Sequence, residues 1–281
     1  MGSPRRHRGK GGDVRKYHDR VAGRYDSIYD DAYWRWHDMV TWQHVKRFLP
    51  RDLTSPVADI GCGTGKWGLK LLKSGFRVTF VDISIKMLEQ ARRKVDQAGG
   101  SAKAEFLQVD LSDPSPLPAD RFALMLGMGD PLSCVPSLAA SLRGIANALT
   151  PGGVLVATLD HMPAAIDFFL QNADIDGLSD FIRSGRTHWL TNDQGERFQT
   201  IQYTVEDATS AIRNANLELV EVIGKTVLPM RDHRELLEDP EVARRLARIE
   251  CQLQRSTSML GRCSHLQFVA RRPATDNHPS G

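Results

Sequence analysis

The segment Val57-Ala58-Asp59-Ile60-Gly61-Cys62-Gly63-Thr64-Gly65-Lys66-Trp67-Gly68 constrains this 281-residue chain more than any other. Val57–Ile60 is a short apolar-rich run that reads as a buried strand, and residues 66–74 read as a helix stopped by Gly75. The glycines between them make a bare turn, where a ligand can approach the backbone and meet unpaired N–H groups at a helix start. Asp59 sits inside the strand and is read as a hydrogen bonder that holds the loop, not as a ligand. The same rhythm then repeats. Residues 77–81, 104–109, 123–128 and 154–159 read as strands, and 86–98 and 137–149 as helices. Further on, 205–214 reads as a helix, with 217–222 and 265–270 as two more strands.

Strands alternating with helices of about 10–15 residues imply right-handed crossovers and a buried sheet. The expected fold is therefore α/β: a Rossmann-like, seven-stranded, mostly parallel sheet with helices on both faces. One domain is expected over 17–272, between a basic flexible leader at 1–16 and a flexible tail at 273–281. Within it, 17–50 reads as a helical lid. Tyr17, Tyr25, Tyr29, Tyr33, Trp34, Trp36 and Trp42 recur there, several of them three or four apart, the interval that stacks side chains on one helix face. Residues 161–204 read as an insert after the fifth strand, with a hairpin pairing 188–190 with 196–203. Its Phe168, Phe169 and Phe181 are expected to complete a cover over the substrate. After Asp239-Pro240, the stripe Val242, Leu246, Ile249 and Leu253 predicts an amphipathic helix that packs within the chain or against a second copy in a homodimer.

Composition excludes several classes. Apolar residues make up 41% and charged residues 25%, which is ordinary globular usage. No apolar run approaches the roughly 20 residues of a membrane span, and the basic N-terminus has no apolar core of a secretory signal. Four scattered cysteines (Cys62, Cys134, Cys251, Cys263) read as free thiols of a cytoplasmic protein. The net charge is +3, but Arg5, Arg6, Arg8, Lys10, Arg15 and Lys16 face only Asp13 in the leader, so the body is slightly acidic. That weakens the case for a nucleic-acid-binding body.

The glycine turn alone does not name its ligand. Gly63-Thr64-Gly65-Lys66-Trp67-Gly68 fits the spacing of a dinucleotide fingerprint, with Asp82 placed to bind a ribose. A phosphate loop is excluded, because Lys66 is followed by Trp67 and the glycine spacing is wrong. Taken in order, four segments say more: Asp59-Ile60-Gly61-Cys62-Gly63-Thr64-Gly65, Val81-Asp82-Ile83-Ser84, Val109-Asp110-Leu111 and Leu149-Thr150-Pro151-Gly152-Gly153. Over residues 20–272 the chain resembles the class I S-adenosylmethionine-dependent methyltransferases. The run Gly127-Met128-Gly129-Asp130-Pro131-Leu132-Ser133 with Leu159-Asp160-His161 is similar to their small-molecule branch, which includes glycine N-methyltransferase. A nicotinamide enzyme has no use for the acid before the glycines or for the Pro-Gly-Gly turn.

That resemblance implies S-adenosylmethionine as cofactor and no metal. Gly61 and Gly63 would let the loop approach the methionine part, and Asp82 would accept both ribose hydroxyls. Asp110 and the Leu111 N–H would read the adenine, between Ile83 and Met87. The Met128 carbonyl would take the ammonium, and Tyr25 would contact the sulfonium side. Tyr29, Trp34, Trp36 and Ser133 would line the acceptor pocket. His161 is the expected base, oriented by Asp130 or Asp160, with Asp130 also facing the acceptor. Each has a plainer alternative: Asp82 as a helix cap, Asp110 as a turn cap, His161 as a structural histidine at a strand end. His188, His37 and His44 are weaker candidates.

The implied reaction is methyl transfer to N, O or S of a small molecule by in-line displacement. Two other readings stay open. One is methylation of tRNA or rRNA, against which stand the acidic body and Gly129-Asp130-Pro131-Leu132 in place of a base-flipping motif. The other is a non-catalytic subunit that binds S-adenosylmethionine to support a partner, against which stands the intact loop with Asp82 and Asp110.

Overall fold

The computed structural model describes residues 11–188 and 198–274. Three helices come first: α1 (Gly11–Val21), α2 (Tyr25–Ile28) and α3 (Ala32–Val45). α1 starts inside the stretch expected to be a loose leader. Its Val14 and Tyr17 are buried, because this helix packs on the one that follows the second strand. β1 (Val57–Ile60), α4 (Lys66–Lys73), β2 (Val78–Asp82), α5 (Ile85–Gln97) and β3 (Ala104–Gln108) form the first wound half. The second half runs through β4 (Phe122–Gly127), α6 (Leu138–Ala148) and β5 (Leu149–Asp160). An insert follows, with α7 (Met162–Gln171), α8 (Ile175–Ser184), β6 (Arg186–His188) and β7 (Gln199–Ile201). Then come α9 (Val205–Asn214), β8 (Glu218–Lys225), α10 (Pro240–Leu253) and β9 (His265–Arg271).

The seven-stranded sheet has the order β3-β2-β1-β4-β5-β9-β8. β9 runs antiparallel to both its neighbours, and the remaining pairings are parallel. β1 and β2 are buried along their whole length because helices cover both faces. On one face, α6 and α9 pack through Leu142, Ile145 and Ile212. On the other, Leu71, Phe80, Leu88 and Val95 join α4 and α5. The chain reverses its direction of growth between β1 and β4, which opens a crevice beyond their carboxyl ends.

Three sequence expectations shift. The hairpin of the insert pairs β6 with β7, Arg186 opposite Ile201, and its expected connection at 191–195, with 189–190 and 196–197 of the expected strands, lies outside the described residues. Phe169 and Phe181 stack 5.0 Å apart in a small cluster of the insert's own, so these rings stabilise α7 and α8 rather than covering the crevice. In α10 the inward face is Ala243, Leu246, Ala247 and Glu250, and Ile249 is exposed. The helix is rotated from its apolar stripe because Glu250 is used inside: its carboxylate accepts from the Val227 and Leu228 N–H groups, both at 2.9 Å. α10 thereby packs on α3 within the chain.

Candidate active site

The crevice is a cavity of about 470 Å³, enclosed between the carboxyl edge of the sheet and the three N-terminal helices. Its size lies within the roughly 300–1,000 Å³ of small-molecule sites. At the β1/β2 end the glycine turn forms its floor. Gly61 has φ +62, and a Cβ there would stand 2.3 Å from the Pro131 Cβ, so only glycine lets the loops after β1 and β4 meet. Asp59 is fully buried and accepts from the Gly68 N–H at 2.7 Å, the loop-holding role expected of it.

Asp82 ends β2 with its carboxylate accepting from the Gly63 and Ser84 N–H groups, each at 2.8 Å. Burial raises its carboxyl, opposed by His18 and by those two donors. Ser84 caps α5 through the Met87 N–H at 3.1 Å, so Asp82 holds the loop and the helix start while still lining the cavity. Asp110 accepts from the Ser112 N–H at 2.8 Å and also faces the cavity, beside Ile83 and Leu111. The capping and ligand readings of these two acids are thus compatible. Met128 and Gly63 complete this wall. The expected Met87 does not reach it; that side chain is wholly buried against α1.

The roof is aromatic. Tyr25 and Tyr29 lie 5.0 Å apart, and Trp34 meets Tyr29 edge-on at 4.9 Å. All three line the cavity. Asp26 ties this roof down: it accepts from the Thr64 hydroxyl at 2.6 Å and pairs with Lys94 of α5. Phe198, ahead of β7, lies 5.0 Å from Tyr17 and closes the far side with Thr200. Trp36 faces away, buried against Tyr33 and α10, because it lies on the opposite side of α3 from Trp34.

The other end of the cavity holds the titratable groups. Asp130 adopts φ +61, a conformation that Asp tolerates better than most residues, with Gly129 before it at φ +85. The Thr158 hydroxyl accepts from both their N–H groups at 3.0 Å, which fixes the turn. Asp130 Oδ2 then lies 2.9 Å from His265 Nδ1, and Asp160 Oδ1 lies 3.7 Å from the same nitrogen. Burial works to raise the Asp130 carboxyl, but the His265 and Lys225 charges outweigh it and hold it at about 2. Asp160 goes the other way, pushed up to about 7 by burial and by the Asp130 charge. Both His265 ring nitrogens are buried and neither makes a well-formed hydrogen bond among the described residues, so Asp130 meets Nδ1 as a close charge contact. Lys225, His37 and Arg231 also line this end.

His161 is not part of this group. It is buried one residue beyond the strand end, with Nδ1 3.1 Å from the Cys263 carbonyl oxygen, and it does not line the cavity. Side chains alternate along a strand, so the residue after Asp160 points to the other side. Ser133 is equally buried; its hydroxyl accepts from the Asp160 N–H at 2.9 Å and positions that acid rather than facing the acceptor. His188 is exposed on β6, and His44 is buried beside Glu221. The residue that sequence reasoning missed is His265. Its signal was present: an antiparallel strand begins at the edge where parallel strands end, so the first residue of β9 lies beside the site.

Comparison with known proteins decides the family. Residues 57–153 match the methyltransferase-domain family. The chain carries a methyltransferase domain in the class I methyltransferase fold. This methyltransferase is 28% identical over 190 residues to the ubiquinone biosynthesis O-methyltransferase of Xanthomonas euvesicatoria, a span of 66% of this chain and 72% of the relative. It is 29% identical over 171 residues to rat glycine N-methyltransferase, covering 53% of this chain and 56% of that one. Its fold matches a methyltransferase from Mesorhizobium loti with a TM-score of 0.56 at 22% identity, over 83% of this chain and 98% of that one. A Burkholderia thailandensis 1,6-didemethyltoxoflavin-N1-methyltransferase, solved with S-adenosylhomocysteine, also gives 0.56 at 15% identity, over 97% and 92%. The cofactor implied by the fold family is S-adenosylmethionine, bound as its product S-adenosylhomocysteine in the Burkholderia structure. The residues present fit it: carboxylates and bare backbone line the β1/β2 end, as a cationic, phosphate-free nucleoside requires. No helix among the described residues is long and apolar enough to cross a membrane.

Proposed function

We propose that this methyltransferase alkylates a hydroxyl or amine of a small molecule enclosed in the cavity, with His265 as the base. The observation that carries this reading is His265 lining the cavity with Nδ1 2.9 Å from Asp130 Oδ2 and, among the described residues, no protein partner at Nε2. In this reading Asp82 and Asp110 hold the ribose and adenine, Gly61, Gly63 and the Met128 carbonyl hold the methionine part, and Tyr25 closes over it. When bound, S-adenosylmethionine supplies a methyl carbon made electrophilic by its sulfonium. Asp130 orients the His265 ring through Nδ1, leaving Nε2 to take the proton that the acceptor loses. Tyr29 and Trp34 exclude water and offer ring faces to the acceptor.

The acceptors named for the relatives are small molecules, which supports an enclosed guest over an RNA. The four free cysteines are in keeping with a cytoplasmic setting. In a methyl-transfer assay over a panel of hydroxyl and amine acceptors, His265→Asn is expected to slow turnover about 100- to 10,000-fold. S-adenosylhomocysteine affinity should stay unchanged, and His161→Asn should retain turnover. Full activity of His265→Asn would remove the base from the mechanism.

A further inference from the structure

Three strands set their edge residues in one row. Lys225 of β8 stands opposite His265 of β9, and His265 stands opposite Asp160 of β5. The row ends in a cation whose surroundings are unusual. Lys225 is 3% exposed, lines the cavity, and makes no ion pair or hydrogen bond through its ammonium among the described residues. Three carboxylates act on it through space, those of Asp130, Asp38 and Glu250. Each is already committed: Asp130 to His265, Asp38 to Lys66 at 2.8 Å, and Glu250 to two backbone N–H groups. A buried ammonium without a partner is costly, and a side chain aimed into a cavity can obtain one from a ligand.

A second cation stands at the mouth. Arg231, on the segment that Glu250 holds, lies with its guanidinium 5.4 Å from the ring centroids of Tyr33 and Trp34 and pairs with no carboxylate among the described residues. Its Nε donates to the Tyr33 hydroxyl at 3.3 Å, and with no acid on its edge the two Nη groups are left for an oxyanion.

We propose that the methyl acceptor carries a carboxylate, held by Lys225 and Arg231, with its nucleophilic atom presented to His265. This rests on the methyl-transfer reading above. A single negative charge suits the site better than a dianionic phosphate, because Asp130 and Asp160 stand on the same edge. The carboxylate could also be the cofactor's own. Two strands, β5 and β9, separate Lys225 from β4, whose end would hold the cofactor's methionine part, which favours the acceptor.

The test uses the full chain with S-adenosylhomocysteine bound. Hydroxybenzoates, hydroxy acids and amino acids are each titrated beside the matching amide, with inorganic phosphate as a further anion, and followed by melting temperature and calorimetry. Carboxylates are expected to bind where amides and phosphate do not. Lys225→Met and Arg231→Gln should each weaken carboxylate binding on the order of 10- to 100-fold, with Lys225→Arg recovering part of the loss. Arg231 is exposed, so its variant reports even if Lys225→Met fails to fold. S-adenosylhomocysteine affinity should stay within about twofold in both. Equal binding of amides, no carboxylate bound by the complex, or phosphate preferred over every carboxylate would overturn the proposal. A parallel loss of S-adenosylhomocysteine affinity would assign the two cations to the cofactor and overturn it too. Failure of the wild type to bind S-adenosylhomocysteine at all would instead sink the methyl-transfer reading, and this one with it.

Discussion

Gly61→Ala probes the contact on which the crevice depends. Two effects add. With φ +62, a Cβ in the left-handed region costs about 1–2 kcal/mol. That Cβ would also lie 2.3 Å from the Pro131 Cβ and 2.9 Å from its Cγ. A proline ring cannot rotate away, so the loops must part, an overpacking cost of about 1–3 kcal/mol. The total is about 2–5 kcal/mol. Gly152→Ala isolates the first effect, because Gly152 has φ +78 with nothing within 4 Å of a Cβ. It should cost about 1–2 kcal/mol, and any effect of alanine on the unfolded chain is common to both variants. Urea denaturation followed by tryptophan fluorescence gives the difference, expected at about 1–3 kcal/mol. Pro131 follows Asp130 directly, so Gly61→Ala should also weaken S-adenosylhomocysteine binding and slow turnover, while Gly152→Ala does neither. If the two variants are equally stable and bind alike, the meeting of these loops does not shape the site.

Asp82→Ala removes the acceptor for the Gly63 and Ser84 N–H groups together with the ribose contact. Calorimetry should show S-adenosylhomocysteine affinity falling by about 1–3 kcal/mol, and unchanged affinity would refute the ribose role. Asp26→Ala frees the roof from Thr64 and Lys94. An exposed latch is worth about 0.2–1 kcal/mol, so stopped-flow release of S-adenosylhomocysteine should quicken only by up to about fivefold; no change would show that the roof is held elsewhere. Burial lowers the Lys225 ammonium from 10.5 to about 8, against the attraction of Asp130, Asp38 and Glu250 and with Lys66 adding repulsion. Between those values the unfolded chain holds more protons than the folded one, so stability rises with pH, by up to about 1.4 kcal/mol per pH unit. Denaturation from pH 8 to 10.5 should show a shallower rise in Lys225→Met; an identical slope would mean that Lys225 is solvated.

Methyl-transfer chemistry was legible in the linear order because its recognition is local. Asp59, Gly61, Gly63, Asp82 and Asp110 each sit at the end of a strand or in the turn after it, and parallel strands joined by helices bring those ends to one edge automatically. The aromatic roof was partly legible for the same reason. A spacing of four pairs Tyr25 with Tyr29, but Trp34 joins them from the separate helix α3, and spacing could not tell which side of α3 faces the crevice, so Trp36 turned away.

The base was decided elsewhere. His161 follows Asp160 in sequence and looked well placed, yet strand alternation turns it toward Cys263. His265 lies 135 residues beyond Asp130 by their numbering, and it reaches Asp130 only because β9 is inserted antiparallel between β5 and β8. Lys225 arrives through the same pairing. Local pattern determined which strands, turns and glycines this chain forms, since those depend on neighbours a few residues apart. Strand order and direction depend on contacts between distant segments, and they alone set an imidazole and an ammonium beside two half-buried acids.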